Sequence, residues 1–350
     1  MFNPTYSITD KLLANIKRIN SLITTLNSSR FPNVILVEFE RSARAVSAYA
    51  STSIEGNPLP LTEVKKILKT KPMHIRESEQ EVLNYNEALE DLSKKMDKTS
   101  LEISLDLILS IQKKITNKLL PSIDSGHLRK KPVLVNDPRT GKTVFLPPDI
   151  KDVEPMVKNL ITFIYTHRNT VDPLILAAIF HKQMVIIHPF IDGNGRTTRL
   201  ATKVLLATMG LNTFNLFSFE NYYNKNVTKY FQTVGEYGDY YELKDRINFT
   251  TWIEYFTDGI IDELLRVQKN LPIASHNPQT KLYPYHKALL EYIQNNGYIA
   301  DRDYAKLTYR AKATRTLDFQ KLINLDMIER KGKGKATYYI LKQQHFKTRF

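Results

Sequence analysis

Residues suited to phosphate chemistry lie close together between His188 and Arg199. Gly193 and Gly195 flank Asn194 immediately before a predicted helix. Glycine lets backbone N–H groups approach an anion closely, and the first turn of a helix adds unpaired N–H donors and a positive dipole. This arrangement predicts a phosphate cradle, whereas a lone Gly-Asn-Gly sequence is more often an ordinary turn.

Charged side chains complete this segment. Arg196 and Arg199 are three residues apart, so both project from nearly the same face of the first helical turn, where guanidinium groups match phosphate oxygens. Asp192 precedes the first glycine and is a candidate ligand for Mg²⁺, which takes one or two carboxylates together with phosphate oxygens. His188, at the end of the preceding helix, is a candidate base for a hydroxyl. Together these groups indicate phosphoryl-type chemistry.

The same segment resembles a known family motif. It reads HPFIDGNGRTTR and matches the Fic motif HPFx(D/E)GNGRxxR at every fixed position. The resemblance implies an all-α, mainly helical Fic fold with a small β-hairpin flap, and an enzyme that transfers AMP from ATP-Mg to a protein hydroxyl with release of pyrophosphate. It also implies roles for the matching residues: His188 as the base, Asp192 as the Mg²⁺ ligand, Gly193, Asn194, Gly195 and Arg196 on the ATP phosphates, and Arg199 on the terminal phosphate. The kinase-like Doc branch has lysine at the position of Gly195. By this resemblance, glycine at that position favours adenylyl transfer.

A second resemblance concerns an inhibitory helix. Residues 51–56 read STSIEG, similar to the family's inhibitory pattern (S/T)xxxE(G/N). Ser51 and Glu55 are four residues apart and share one helical face. The resemblance implies that Glu55 pairs with Arg199, withholds it from the γ-phosphate and blocks the productive ATP pose, as in class II members, whose inhibitory segment precedes the core. Without the downstream motif, a glutamate at a helix end would be an ordinary surface residue.

Two further segments fit the resemblance. Residues 133–148 contain two β-rich runs around a Pro/Gly turn, a predicted hairpin placed as the family's flap is, whose edge would hold a target segment by main-chain pairing. Asn226 and Tyr230 match an Asn-x-x-x-Tyr pattern that lies near the adenine in the family. Val227 departs from the basic residue of many relatives, and an aromatic residue such as Tyr230 is equally suited to a core.

The pattern of the remaining chain is mostly helical. Apolar spacing and capping residues predict helices at residues 7–26, 34–55, 61–69, 78–96, 101–118, 153–167, 173–187, 196–209, 221–236 and 250–269. A proline-containing linker at 271–284 precedes three helices and two strand-like runs, an order typical of a winged helix. We therefore expect three regions: an N-terminal helical region with the inhibitory helix at 1–95, a Fic catalytic core at 96–270 and a winged-helix-like domain at 280–350.

The amino-acid composition gives indications of the cellular compartment and of the possible binding partners. The 350 residues include no cysteine, which excludes disulfides and thiolate metal sites and fits a cytoplasmic protein. No stretch reads as a membrane span, so we expect no membrane partner. The net charge is +14, and the last 70 residues hold 10 Lys and 5 Arg against 6 Asp and Glu. A basic end suits DNA, yet winged helices also dock proteins or form homodimers, and a solvated surface explains the charge equally well.

Three functions are consistent with this sequence. The first is AMP transfer from ATP to a Ser, Thr or Tyr hydroxyl of an unidentified target protein, self-modification included. The second is a DNA-binding regulator whose Fic core senses nucleotide. The third is transfer with another specificity, such as UMP transfer or phosphorylation. His188 and Gly195 together favour the first, because a nucleotide sensor needs no base. The target, the oligomeric state and any AMP-removing activity stay open.

Overall fold

The computed structural model describes residues 2–28, 33–96, 101–136, 141–208, 218–275, 282–325 and 327–342. Internal contacts divide the chain into two units, Met1–Leu26 with Ala43–Arg266, and Asn27–Ser42 with Val267–Phe350. The three-region division expected from the sequence stays a prediction.

The first unit is built almost entirely from helices, as predicted. Its helices, three of which (α1, α2 and α12) cross a unit boundary, are α1 (Asp10–Ser28), α2 (Asn33–Ile54), α3 (Leu61–Lys69), α4 (Glu77–Met96), α5 (Leu105–Ile115), α6 (Ile150–His167), α7 (Pro173–Ile187), α8 (Asn194–Thr208), α9 (Phe219–Lys225), α10 (Val227–Val234), α11 (Tyr240–Leu243) and α12 (Thr250–Ser275). No helix in the described ranges is both long and apolar enough to cross a membrane.

Helix α7 lies at the centre of this unit. The Asp172 side chain accepts a hydrogen bond from the Leu174 N–H, and Pro173 occupies the first turn, so the sequence itself fixes where the helix begins. Nearly every residue of α7 is buried, because the helix packs against α6, α8 and α10. On another side the Trp252 Nε1–H of α12 donates to the Ala178 carbonyl over 2.7 Å. A helix surrounded in this way gives its C-terminal residue, His188, a firm support.

The predicted hairpin is confirmed, with one addition. Strand β1 (Val135–Asn136) pairs antiparallel with β2 (Thr143–Leu146), while the turn at 137–140 lies outside the described residues. A third strand, β3 (Gly238–Asp239), pairs parallel with β2 and completes the order β1-β2-β3. Because Phe145 of β2 is buried, this small sheet is anchored to the helical body.

The second unit has its own core. It contains α13 (Pro284–Asn296), α14 (Asp301–Leu307), α15 (Lys312–Asn324) and the antiparallel strands β4 (Ile328–Lys331) and β5 (Tyr338–Leu341). An isolated bridge joins Ile299 to Tyr339 and adds a short third element to that pair. Its buried apolar residues are Leu289, Ile293, Ile299, Tyr304, Phe319, Leu322 and Ile328.

Two predicted boundaries were wrong. The single helix expected at 221–236 is two helices, because Asn226 leaves helical geometry with φ −145° and ψ 74° and its side chain caps α10. The linker expected at 271–284 is helical at its start, since α12 continues to Ser275, and residues 276–281 lie outside the described part of the chain.

Candidate active site

The loop between α7 and α8 begins with an unusual backbone conformation. His188 ends α7 in the left-handed region, with φ 49° and ψ 60°, and its N–H still donates to the Met184 carbonyl over 3.1 Å. A non-glycine residue in this region is strained by about 1–2 kcal/mol, so the surroundings must hold it there. Phe190, two residues on, is fully buried and ties the loop to the core.

Asn194 shapes the loop with its side chain. Its Oδ1 accepts from the Phe190 N–H over 2.8 Å, and its Nδ2 donates to the Phe190 carbonyl over 2.9 Å. The Gln112 Nε2 donates to the Asp192 carbonyl over 3.2 Å from α5. The Asn194 amide is therefore used within the protein, and only its backbone N–H is left for the phosphate contact predicted from the sequence.

The first turn of α8 has the form of an anion cradle. The first intrahelical bond runs from the Thr197 N–H to the Gly193 carbonyl over 2.9 Å, so the N–H groups of residues 194–196 precede the regular hydrogen-bonding pattern. Gly193 has φ 80°, and a Cβ there would lie 2.9 Å from Ile115 Cδ1, so this position requires glycine.

Arg196 is buried beside two carboxylates. Its Nη2 donates to Asp192 Oδ2 over 2.8 Å and its Nη1 to Glu81 Oε1 over 3.0 Å, whereas its Nε is buried with no hydrogen-bond partner in the described structure. The Asp192 side chain is 48% exposed, so it can take a further ligand. No cluster of three metal-binding side chains occurs in the described ranges. One carboxylate next to an anion cradle nevertheless fits Mg²⁺, which takes its other ligands from phosphate and water.

Arg199 is brought together with both predicted inhibitory residues. Its Nε donates to Ser51 Oγ over 2.8 Å, and its Nη2 donates to the Ser51 carbonyl over 2.8 Å and to Glu55 Oε1 over 2.6 Å. Its Nη1 lies 3.4 Å from the Tyr230 hydroxyl. Burial disfavours the charge, but Glu55 together with Tyr230 and Tyr85 outweighs that effect, and the pKa of Arg199 is raised. The guanidinium therefore stays charged and is fully engaged.

His188 is suited to accept a proton. Burial is the main cause that lowers the pKa of its imidazole to about 4, so the ring is neutral near pH 7. Its Nδ1 lies 3.4 Å from the Val185 carbonyl. If Nδ1 carries the ring proton toward that carbonyl, Nε2 has a free lone pair.

Several of these groups open onto one cavity of about 230 Å³, whose lining does not include Asp192, Arg196 or Ser51. Its lining includes His188, Asn194, Gly195, Arg199, Glu55 and Tyr230 together with apolar residues of β1, β2 and α10. Tyr230 is buried, and its hydroxyl lies 3.0 Å from His181 Nε2. Asn226 is not part of this lining, because its Oδ1 accepts from the Lys229 N–H over 3.0 Å. The structure thus brings together most predicted site residues and separates Asn226 from them.

Sequence reasoning missed Arg129. This residue is 3% exposed, and its Nε donates to the His188 carbonyl over 2.9 Å. It stands in the basic run His127–Lys131, which reads as a solvated surface. Its partners are backbone carbonyls, which carry no sequence signal of their own.

Part of this chain is similar in sequence to known proteins. Residues 102–206 match the family model described as Fic/DOC family. The chain is 31% identical to a protein adenylyltransferase Fic of Nematostella vectensis over 166 residues, covering 46% of this chain and 37% of that relative. It is 30% identical to the protein of the same name from Drosophila erecta over 201 residues, covering 56% of this chain and 38% of that relative. The matches thus span about two fifths of the relatives' own length.

Solved structures show a similar fold. A crystal structure of a Fic family protein from Desulfovibrio desulfuricans G20 covers 98% of this chain and 99% of its own, with a TM-score of 0.66 at 19% identity. Fic-1 of C. elegans, residues 134–508, covers 75% of this chain and 74% of its own, with a TM-score of 0.57 at 21% identity.

Proposed function

This chain belongs to the Fic/DOC family through residues 102–206, and on that basis we propose that it transfers AMP from ATP to a hydroxyl group of a protein. The observation that carries the proposal is the convergence of His188, the first turn of α8 and Arg199 on one cavity. A neutral imidazole, backbone N–H donors and a buried cation are the groups that nucleotidyl transfer requires.

The transfer step uses these groups in order. The Nε2 of neutral His188 accepts the proton of the target hydroxyl, whose oxygen forms a bond to the α-phosphorus of ATP. The bond from that phosphorus to the bridging oxygen breaks, and pyrophosphate leaves with the bonding electron pair. The N–H groups at residues 194–196 and the Arg196 side chain stabilise the phosphate charge, and Arg199 holds the terminal phosphate once it is free. Asp192 would hold Mg²⁺, which neutralises charge on the phosphates when bound.

We further propose that Glu55 inhibits the enzyme. The contact of 2.6 Å between its Oε1 and Arg199 Nη2 uses the cation that the γ-phosphate would need. Because Glu55 also lines the cavity, its carboxylate would repel a triphosphate that entered. Ser51 supports the arrangement through its hydroxyl and its carbonyl. On this proposal the chain is a class II member.

The test compares wild type, Glu55→Gly and Glu55→Gly/His188→Ala with ATP-Mg labelled at the α-phosphate, and in parallel with γ-labelled ATP and with α-labelled UTP. We expect Glu55→Gly to label itself or an added protein about 100-fold faster than wild type, and the double variant to lose that gain. Mass spectrometry should find an added AMP. Equal labelling of all three proteins would contradict both proposals, while γ-label or UMP on the product would support the other nucleotide specificities.

We propose that a target segment pairs with the outer edge of β1. This strand stands at the edge of the sheet, beside Leu134, which is exposed. An extended segment added to that edge would gain main-chain hydrogen bonds and present its hydroxyl toward the cavity that β1 lines. Proline substitution at Leu134, which does not line the cavity, should weaken transfer to a target protein but leave ATP binding unchanged, as titration calorimetry can measure.

We infer that the second unit is a winged-helix module for protein docking or homodimer formation. Its support is the order of three helices and an antiparallel strand pair. Arg310 and Arg315, which would contact DNA, instead pair with Asp318 and Asp301 over 2.8 Å. We expect no salt-dependent binding to duplex DNA in fluorescence anisotropy. Binding that ATP modulates would favour the regulator hypothesis instead.

A further inference from the structure

Arg129 connects the α7–α8 loop to the end of β2. It lies between α5 and β1, and its side chain is almost completely buried. Its Nε donates to the His188 carbonyl over 2.9 Å, and its Nη2 donates to the carbonyl of Pro148, two residues after β2. Its backbone N–H donates to the Pro189 carbonyl over 2.9 Å. One residue therefore binds two consecutive carbonyls of the loop and one carbonyl that follows the β2 strand.

The position of these bonds is more telling than their number. The first of these acceptors is the carbonyl of His188 itself. Within the α7–α8 loop, His188 is the one non-glycine residue with left-handed backbone geometry. Rotation of this carbonyl would turn the peptide unit after His188 and shift the backbone of the loop. A donor fixed on it therefore holds the backbone position from which the imidazole projects.

The fork geometry of the guanidinium explains why arginine is suited here. Its Nε and Nη2 point in fixed directions and reach carbonyls 40 residues apart in the sequence, at His188 and Pro148. A lysine carries one compact ammonium group on a flexible stem, so it could satisfy one carbonyl or lie between both. Among the described residues no carboxylate accepts a hydrogen bond from Arg129, so these bonds hold backbone positions and form no ion pair.

We propose that Arg129 is a positioning residue that keeps the His188 imidazole and the β2 strand in one fixed arrangement. This rests on the proposed function in so far as His188 is the base and the β1–β2 pair holds the target. Arg129 touches neither the nucleotide cradle of α8 nor the Glu55–Arg199 pair through any hydrogen bond in the described structure. Its loss should therefore reduce the turnover rate and spare ATP binding.

The experiment introduces Arg129→Lys into the Glu55→Gly protein and measures three quantities: the rate of AMP transfer at saturating ATP, the ATP dissociation constant, and hydrogen exchange of peptides from β2 and from residues 188–195. The matched control is Arg315→Lys in the same background. Arg129 makes three side-chain hydrogen bonds, the third from its Nη1 to the Lys131 carbonyl over 3.5 Å. Arg315 also makes three, two to Asp301 and one to the Arg310 carbonyl, but it belongs to the second unit.

We expect Arg129→Lys to slow transfer about 100-fold, to change the ATP dissociation constant less than threefold, and to increase exchange in both peptides together. The control should leave all three unchanged. A transfer rate within threefold of the parent, unchanged exchange, or a slower rate explained wholly by weaker ATP binding would each overturn the proposal. If the Glu55→Gly parent transfers no AMP, the proposed function fails, and the exchange measurement still decides whether Arg129 couples the two segments.

Discussion

The two ends of the Glu55–Arg199 ion pair are held very differently. The Arg199 side chain is fully buried and contacts Ser51, Glu55 and Tyr230 through its three nitrogens. Glu55 lies one residue beyond the end of α2, its side chain is 30% exposed, and Arg199 is its one ion-pair partner in the described ranges. The difference teaches that the cation we propose to bind phosphate is buried in the protein body, while the acidic group that covers it is the more exposed of the two and the one we expect to move.

A buried polar network explains why only one end is fixed. Lys203 of α8 forms a 3.0 Å ion pair with Glu220, and both bind Ser47 of α2, at 2.6 Å and 3.0 Å. The Tyr85 hydroxyl donates to the same carboxylate over 2.7 Å. These contacts hold the middle of α2 against α8, so the Ser51 carbonyl stays on Arg199 whether or not Glu55 does. Displacement of Glu55 thus needs no movement of the whole helix.

The largest effect should come from removal of the fixed end. Arg199→Met leaves the buried Ser51 groups without their donor, so we expect the free energy of unfolding to fall by about 3 kcal/mol. In the Glu55→Gly background, it should also reduce AMP transfer about 100-fold. Urea unfolding and labelled-ATP assays measure the two effects. If Glu55→Gln lowers the free energy of unfolding as much as Arg199→Met does, Arg199 is not the more firmly held end of the ion pair.

A smaller effect should come from a substitution that crowds Glu55, the more exposed end of the ion pair. A Cβ on Gly195 would lie 2.1 Å from Glu55 Oε1 and 2.9 Å from Arg199 Nη1. Gly195→Ala should therefore push Glu55 away and raise the transfer rate of the otherwise wild-type protein about tenfold.

The matched control is the same substitution in the Glu55→Gly protein. There the alanine meets no carboxylate, so it should give no gain and a modest loss where the added methyl group crowds the cradle. A gain of equal size in both backgrounds would show that the alanine acts on something other than Glu55.

The pH dependence of the transfer rate tests whether His188 is as buried as the structure indicates. Burial lowers the pKa of His188 to about 4, and the hydrogen bond to the Val185 carbonyl and the charge of Glu55 oppose this effect by raising the same pKa. In Glu55→Gly, the transfer rate should therefore stay level from pH 7 to about pH 5 and fall only below that, as His188 takes up a proton. Initial rates should be measured across this range, with circular dichroism to verify folding. An acid limb centred near pH 6.5 would indicate a solvated imidazole.

Features that depend on neighbouring residues, such as helix ends, could be predicted from the sequence. Features that depend on contacts with distant backbone could not. Asp172 and Pro173 mark the start of α7, and both ends of this helix were predicted correctly, because caps are local chemistry. The Fic motif likewise predicted the loop and helix start that form the proposed phosphate cradle. Strand β3 was not predicted. It has only two residues, too few to show the apolar/polar alternation typical of a strand, and its partner β2 lies about 90 residues earlier in the chain.

Side chains that bind backbone carbonyls were the hardest to predict. Arg129 and Gln112 hold the α7–α8 loop through acceptors that every residue possesses, so residue types reveal nothing of the pairing. The helical break at Asn226 was missed for a related reason. Apolar spacing runs on through it, and only the backbone geometry shows that the asparagine begins a new helix.

The smallest expected effect separates the two residues that the sequence placed near adenine. Asn226→Ala should lower the free energy of unfolding by about 1 kcal/mol, because α10 loses its N-cap, and it should change the ATP dissociation constant less than twofold. Tyr230→Phe should instead weaken ATP binding, because the hydroxyl that lies between Arg199 and His181 disappears from the cavity wall. Calorimetric titration of both variants in the Glu55→Gly background makes the comparison. If Asn226→Ala weakens ATP binding as strongly as Tyr230→Phe, its side chain must leave the cap and turn toward the nucleotide, and the wall formed by α10 would then belong with Glu55 among the movable parts of the site.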